Sequence, residues 1–375
     1  MVVYRSRSTV CTTFNHSILL QMLCWLSNLR TILPTLSTIT TPVMVVMGNQ
    51  ACDLDSGISS ITLAYHLSLV HPATPVIPLM NINTQDFPLK TELVSVLAEE
   101  GIHQGNLFFR DTFDLFTIQH LQLILVDHNV LTEEDQELSD NVVEIIDHHV
   151  RETDHKNTVI EPVGSCSSLV LRKILTENPS FDDKTSAKMI MKTILLDTVE
   201  LQPSAKRVTP LDVEMVDMCE KVLGDQDRGE MFRKVLEEKC RVDHLTAGQL
   251  CRRDLKVVKK KEVKIALSSV PMLAKDWTDL ANVEKEASQF MSDGGFTLLL
   301  VLGINIAEEV VTRDLVIIGD KTSDTYKIME EALKNHAEPN LGLEIDKSVK
   351  YFTRYSQKNN AASRKQILPI VKNAF

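Results

Sequence analysis

The sequence predicts an α/β protein: an N-terminal, doubly wound domain around a mainly parallel sheet, a smaller α+β domain at the C-terminus, and an active-site cleft between them. Three observations lead there. From residue 43 to about residue 197, short β-branched runs alternate with helical patterns, the signature of β-α-β units. Beyond Cys219 the chain turns charged and glycine-punctuated, and a fresh set of strand and helix patterns follows. At 375 residues the chain exceeds one ordinary domain, so about two cores are expected.

Residues 1–42 read as a partly disordered N-terminal extension. The first 52 residues contain no Asp or Glu and include Arg5, Arg7 and Arg30, a composition like that of a transit peptide. The bland alternative is an amphipathic helix over residues 18–26 that packs on the domain. Gln21, Ser27, Asn28 and Arg30 interrupt the apolar run, which excludes a membrane span of ~20 residues. The cytoplasm is the expected compartment, with the mitochondrion as the alternative if the extension targets.

Within the first domain, 43–218, a strand is expected at 43–47. A helix follows, opened by Ser56-Gly57 and carrying Ile58, Ile61, Leu63, Ala64, Leu67 and Leu69. Residues 76–80 form a strand in which Pro78 suggests an edge or an irregular end. A helix over 87–100 stops at Gly101, and strands follow at 121–126 and 142–146. Gly164-Ser165-Cys166-Ser167-Ser168 opens a helix at 169–175, and its free N–H groups either bind an anion or serve only to cap the helix. A connector over 219–242 holds a helix near 231–239. In the last domain, 243–375, strands are expected at 263–267, 296–304 and 315–318, and helices at 280–291 and 326–334. Lys259-Lys260-Lys261 reads as a solvated turn before a strand.

Composition limits the chemistry. With 40 basic and 51 acidic residues the net charge is −11, so no broad nucleic-acid surface is expected. A phosphate-bearing substrate would need local cations or metal. Seven dispersed cysteines without Cys-x-x-Cys spacing indicate neither a disulfide framework nor a zinc ribbon. Cys52 is better read as a small buried filler than as a ligand.

Four apolar runs end in aspartates. Asp53 and Asp55 follow 43–47, Asp127 closes 121–126, Asp147-His148-His149 closes 142–146, and Asp197 follows Ile194-Leu195-Leu196. In open α/β sheets ligands bind beyond the carboxyl ends of strands, which places the first three groups along one rim. Hard divalent cations take oxygen ligands, and two held ~3.5–4 Å apart need a bridging carboxylate. Asp53 and Asp55 can each face a different ion, with Asp127 and Asp197 completing the set. His148 adds an imidazole, which favours manganese or cobalt over magnesium, and leaves His149 for substrate. Asp147 either binds metal or orients His148. Taken singly, each aspartate is as readily a cap or turn former; the argument rests on their joint occurrence.

These motifs resemble the DHH phosphoesterase superfamily. The first, Gly48-Asn49-x-x-Cys52-Asp53-Leu54-Asp55-Ser56, is most similar to its prune and short-chain exopolyphosphatase branch. Further matches are Phe109-Arg110-Asp111, Leu125-Val126-Asp127-His128, Gly164-Ser165-Cys166, Leu196-Asp197 and Ser363-Arg364-Lys365-Gln366. The last is similar to the substrate-gripping signature of the C-terminal domain shared with family II inorganic pyrophosphatases. The resemblance implies two divalent ions, manganese, magnesium or cobalt. One would be held by Asp53 and Asp127, with Asn49 standing where the pyrophosphatases carry a histidine. The other would be held by Asp55, Asp127, His148 and Asp197. His149, Lys206, Arg207, Arg364 and Lys365 would contact phosphate oxygens, while Asp147 and His128 would stand behind the ligands.

Three departures accompany the resemblance, the first being Asn49 in place of an imidazole. Asp127-His128-Asn129 lacks the last histidine of the prune-type Asp-His-His, and the spacing from Asp197 to Lys206 is not that of the pyrophosphatases. The activity implied is hydrolysis of phosphoanhydride bonds in short polyphosphate, with pyrophosphate or nucleoside polyphosphates as further substrates and a metal-activated water as nucleophile. The alternatives are a nucleotide phosphodiesterase or nuclease, faintly echoed in Gly294-Gly295, and a prune-like interaction protein with weak activity. Protein partners are not readable from the sequence.

Overall fold

The alternating patterns of the first part of the chain build a six-stranded, wholly parallel sheet. The computed structural model describes residues 18–307 and 310–375. It divides into two units: the first runs to Thr84 and resumes over Leu93–Val235, and the second comprises Gln85–Glu92 and Leu236–Phe375.

Unit 1 contains α1 (Ile18–Ile32), β1 (Val43–Met47), α2 (Leu54–Val70), β2 (Val76–Met80), α3 (Thr91–Glu99, which begins in the 85–92 segment), β3 (Phe108–Phe109), β4 (Leu121–Val126), β5 (Val142–Asp147), β6 (Thr158–Ile160), α4 (Cys166–Glu177), α5 (Lys184–Asp197) and α6 (Pro210–Leu223). The chain leaves this unit within α7 (Arg228–Cys240). The strand order β3-β2-β1-β4-β5-β6 is that of a doubly wound sheet. Its order reverses between β1 and β4, so the loops after these strands diverge and open a crevice at their carboxyl ends. β1, β2 and β4 are buried almost throughout, as central parallel strands must be.

α1 settles onto this unit through Met22, Leu26 and Leu29, a buried i, i+4, i+7 stripe. The Trp25 ring lies tilted against Tyr65, with ring centroids 5.3 Å apart, and Arg30 donates to the Leu107 carbonyl at 2.8 Å. The amphipathic alternative therefore describes residues 18–32. Arg5, Arg7 and Cys11 lie outside the described residues, and so does that part of the targeting expectation. No described helix is long and apolar enough to cross a membrane.

Two local expectations change. The helix expected from residue 87 begins at Thr91, because the Pro88 ring fits a tight 3-10 turn over Thr84–Leu89. Pro78 lies in a buried inner strand, where β3 pairs only with Leu79 and Met80 and the outer ladder has not yet begun. The apolar run before Asp197 is the last turn of a helix, α5.

Unit 2 contains α8 (Ala247–Arg253), β7 (Leu255–Lys260), β8 (Val263–Val270), α9 (Ala274–Thr278), α10 (Val283–Gly294), β9 (Leu298–Ala307), β10 (Val310–Ile318), α11 (Asp324–Asn335), β11 (Leu343–Ser348), β12 (Phe352–Gln357) and α12 (Arg364–Asn373). Its mixed sheet has the order β11-β12-β10-β9-β8-β7, and only β8 and β9 pair in parallel. One apolar core gathers around Trp277 and Phe290 and a second around Tyr326 and Tyr355. β7 continues through Lys259 and Lys260, so only Lys261 of the expected turn lies in the hairpin bend. The described cysteines Cys24, Cys52, Cys166, Cys219, Cys240 and Cys251 form no disulfides.

Candidate active site

The site grows from the reversal point of the first sheet. Past β1 the chain turns through Gly48, which has room for no side chain: a Cβ there would stand 2.3 Å from Ser56 Oγ. Asn81, just past β2, fixes the turn by donating to the Gly48 carbonyl at 2.9 Å. Asp53 then caps α2, accepting from the Ser56 N–H at 3.1 Å. Asp55 falls in the first turn of α2 and is buried.

Asp55 is clamped by the start of α4. Its carboxylate accepts the N–H of Cys166 at 2.6 Å, the N–H of Ser167 at 2.8 Å, and the Ser167 hydroxyl at 2.7 Å. Two donors that could have met an external anion are thus taken by the chain's own carboxylate. The N–H groups at the helix terminus fix the direction of the Asp55 carboxylate. Gly164, just upstream, passes where a Cβ would meet Thr198 Cγ2 at 2.5 Å and the Arg207 carbonyl at 2.8 Å. That close approach brings the end of α5, and with it Asp197, against the loop entering α4. One carboxylate oxygen of Asp197 is buried.

Asp127, immediately beyond β4, adopts a left-handed φ of 61° and is only 2% exposed. Its N–H donates to the Ile146 carbonyl at 2.9 Å. Asn49 Nδ2 donates to Asp127 Oδ2 at 2.8 Å and to its carbonyl at 3.0 Å, while Asn49 Oδ1 accepts from the N–H groups of Ala51 and Cys52. In this orientation Asn49 holds Asp127 in place, and its own oxygen is engaged in the turn. Asp127 Oδ1 is buried and accepts no hydrogen bond from the described residues. Burial, then the neighbouring Asp55 and Asp53, push the Asp127 carboxyl well above the usual carboxylate range.

The β5 terminus supplies the imidazoles. His148 Nδ1 donates to the Val163 carbonyl at 3.0 Å, leaving Nε2 3.2 Å from Asp127 Oδ1 and 3.9 Å from Asp55 Oδ2. In the neutral ring that nitrogen is an acceptor facing carboxylate oxygens. Such a pairing fits a cation between them, and a backbone carbonyl on the other ring nitrogen is the usual way to aim a metal-binding histidine. One donor atom each of Asp127, His148 and His149 lies within 4.8 Å of the others.

Asp147 is fully buried and organises the triplet. It accepts the N–H groups of His148 and His149 and the His149 Nδ1–H at 2.8 Å. Asn129 donates to its other oxygen at 2.5 Å, as well as to the Val150 carbonyl. Burial opposes ionisation of Asp147, but the hydrogen bonds from His149 and Asn129 outweigh it and hold the pKa low. The same hydrogen bond raises the pKa of His149, whose ring is 56% exposed with Nε2 free of Asp147. Sequence reasoning noted Asn129 only as a missing histidine; its visible signal was a carboxamide two residues after a strand-end aspartate. His128 turns back to the Val126 carbonyl at 2.9 Å, and burial lowers its pKa.

The expected cations stand differently. Lys206 and Arg207 are exposed beyond a short turn after α5. Arg364 opens α12 and is paired with Asp254 at 2.8 Å, so a phosphate would have to compete with that carboxylate. Lys365 follows it and is exposed.

The DHH family N-terminal domain matches residues 43–201, and the DHHA2 domain matches residues 233–374. The chain belongs to the DHH family. Exopolyphosphatase PRUNE1 of Homo sapiens is 32% identical over 344 residues, covering 89% of this chain and 76% of the relative. A probable manganese-dependent inorganic pyrophosphatase of Listeria innocua is 26% identical over 267 residues, covering 68% of this chain and 77% of the relative. The crystal structure of a Methanococcus jannaschii putative family II inorganic pyrophosphatase superposes with a TM-score of 0.56 at 20% identity, covering 89% of this chain and 99% of that one. This DHH family member therefore shares its two-part fold with that pyrophosphatase structure.

Proposed function

We propose that this phosphohydrolase of the DHH family cleaves terminal phosphoanhydride bonds of short-chain polyphosphate, with pyrophosphate and nucleoside polyphosphates as further substrates. The observation that carries the reading is the buried Asp127 Oδ1, without a hydrogen bond from the described residues, at the meeting point of Asp55 and His148. A buried carboxylate left in that state calls for a cation.

Asp53, Asp55, Asp127, His148 and Asp197 would hold two divalent ions, manganese, magnesium or cobalt, with Asn49 orienting Asp127. At such a site the ions supply neutralisation of phosphate charge and acidification of water. The rest of the work falls to the chain. The start of α4 keeps Asp55 aimed, and the Val163 carbonyl keeps His148 Nε2 turned inward. His149, raised in pKa by Asp147, presents Nε2 as a donor to a phosphate oxygen that gains charge as the bond breaks. Lys206, Arg207, Arg364 and Lys365 are the proposed contacts to the remaining phosphate oxygens.

The test is phosphate release from tripolyphosphate, pyrophosphate, longer polyphosphate and a dinucleotide, each with magnesium, manganese or cobalt. Release from tripolyphosphate is expected. Hydrolysis of the dinucleotide with none from tripolyphosphate would overturn the reading.

A further inference from the structure

A chain of net charge −11 concentrates lysines along one edge of unit 2. β7 is an edge strand, and it and the following bend carry Lys256, Lys259, Lys260 and Lys261, all exposed. α12 lies alongside. Arg364 Nη1 donates to the Asp254 carbonyl at one end, and Lys260 Nζ donates to the Lys372 carbonyl at the other, so strand and helix run in the same direction.

On α12, Ile367, Ile370 and Val371 are buried, while Lys365 and Lys372, seven residues apart, share the exposed side. Lys256 and Lys260 share a face of β7 about 13 Å apart. Among the described residues, none of these six lysines forms an ion pair with a carboxylate. Lysine on an edge strand also discourages unwanted strand pairing. That role does not account for Lys365 and Lys372 on the neighbouring helix, nor for a cationic row that continues from Arg364.

We propose that the β7–α12 edge is a docking track for the uncleaved part of longer polyphosphate chains, a proposal that rests on the reading of this protein as a polyphosphate hydrolase. An unbranched polyanion with no bases and no apolar parts needs a row of mobile ammonium groups rather than a shaped pocket. Neither β7 nor α12 contains an aromatic residue, the platform on which single-stranded nucleic acids stack.

The test compares the parent with the quadruple variant Lys256→Gln, Lys259→Gln, Lys261→Gln and Lys372→Gln, all exposed positions, with folding checked by thermal melt. Tripolyphosphate turnover is expected to be unchanged, while KM for a long chain rises ~10-fold or more and loses much of its salt dependence. Equilibrium binding of the long chain in chelator should weaken in parallel. Unchanged KM and binding for the long chain, with tripolyphosphate still hydrolysed, would overturn the track and leave the function standing. If the parent releases no phosphate from tripolyphosphate, the functional reading fails and the binding arm decides the track alone. Competition by a charge-matched oligonucleotide or by anionic lipid vesicles at comparable concentration would also overturn it, in favour of a general polyanion or membrane surface.

Discussion

Asp127→Asn separates two demands on one side chain: binding a cation, and occupying a buried corner crowded with carboxylates. In chelator, the wild-type carboxyl either carries an opposed charge or takes up a proton, and both cost free energy. The amide has the same shape. Its oxygen can accept from Asn49 where Oδ2 stands, and its nitrogen can donate to His148 Nε2, 3.2 Å from the present Oδ1. Asn also tolerates the left-handed backbone at this position. One added hydrogen bond at about 1 kcal/mol and relief of a buried unsatisfied acceptor at about 1–3 kcal/mol give ~2 kcal/mol or more. For a unit of about 150–250 residues this raises Tm by ~4–8 °C. Excess manganese should reverse the order, since ligand at ~1,000 times its Kd stabilises the wild type by about 4.1 kcal/mol and the variant by little. Scanning calorimetry of both proteins, in chelator and in manganese, reads the crossing directly, with phosphate release as a parallel assay expected to collapse. A variant that melts below the wild type in chelator would show Asp127 to be satisfied as it stands, and the cation-seeking argument would be wrong.

Chelation should abolish phosphate release and added magnesium, manganese or cobalt should restore it; full turnover in metal-free protein, verified by elemental analysis, would count against the site as drawn. Asn129→Ala removes the donor to Asp147 and the acceptor for the Glu152 N–H, so denaturant melts should lose ~1–3 kcal/mol and turnover should fall as His149 loosens. A stable variant with normal kcat would remove Asn129 from the support of the triplet. Ser167→Ala leaves two N–H donors on Asp55 but deletes the hydroxyl, and metal affinity measured by titration calorimetry should drop ~10-fold or more. Arg364→Lys keeps charge but loses the planar fork; a KM unchanged from the parent would argue that Arg364 serves Asp254 rather than phosphate.

The α/β class, the rim of Asp53, Asp55, Asp127 and Asp147-His148-His149, and the second α+β unit could all be read from the residues alone. Each of these is written in local periodicity: β-branched runs of strand length, each followed by a turn residue with a short polar side chain, specify where a strand ends and which side chain stands there. Periodicity failed where exposure breaks the pattern. β7 and β11 carry Lys, Asp and Ser on open faces, β12 interrupts its apolar pattern with Thr353, Arg354, Ser356 and Gln357, and α12 contains Pro369, so these elements were not legible as such.

How the site is held emerged from long-range contacts in the folded chain. Cys166 and Ser167 reach Asp55 across 111 and 112 residues, Asn49 reaches Asp127 across 78, and Asn129 reaches Asp147 across 18. No local rule relates such partners. They meet because the strand order brings β1, β4 and β5 side by side, and because buried carboxylates must find donors wherever the fold places them.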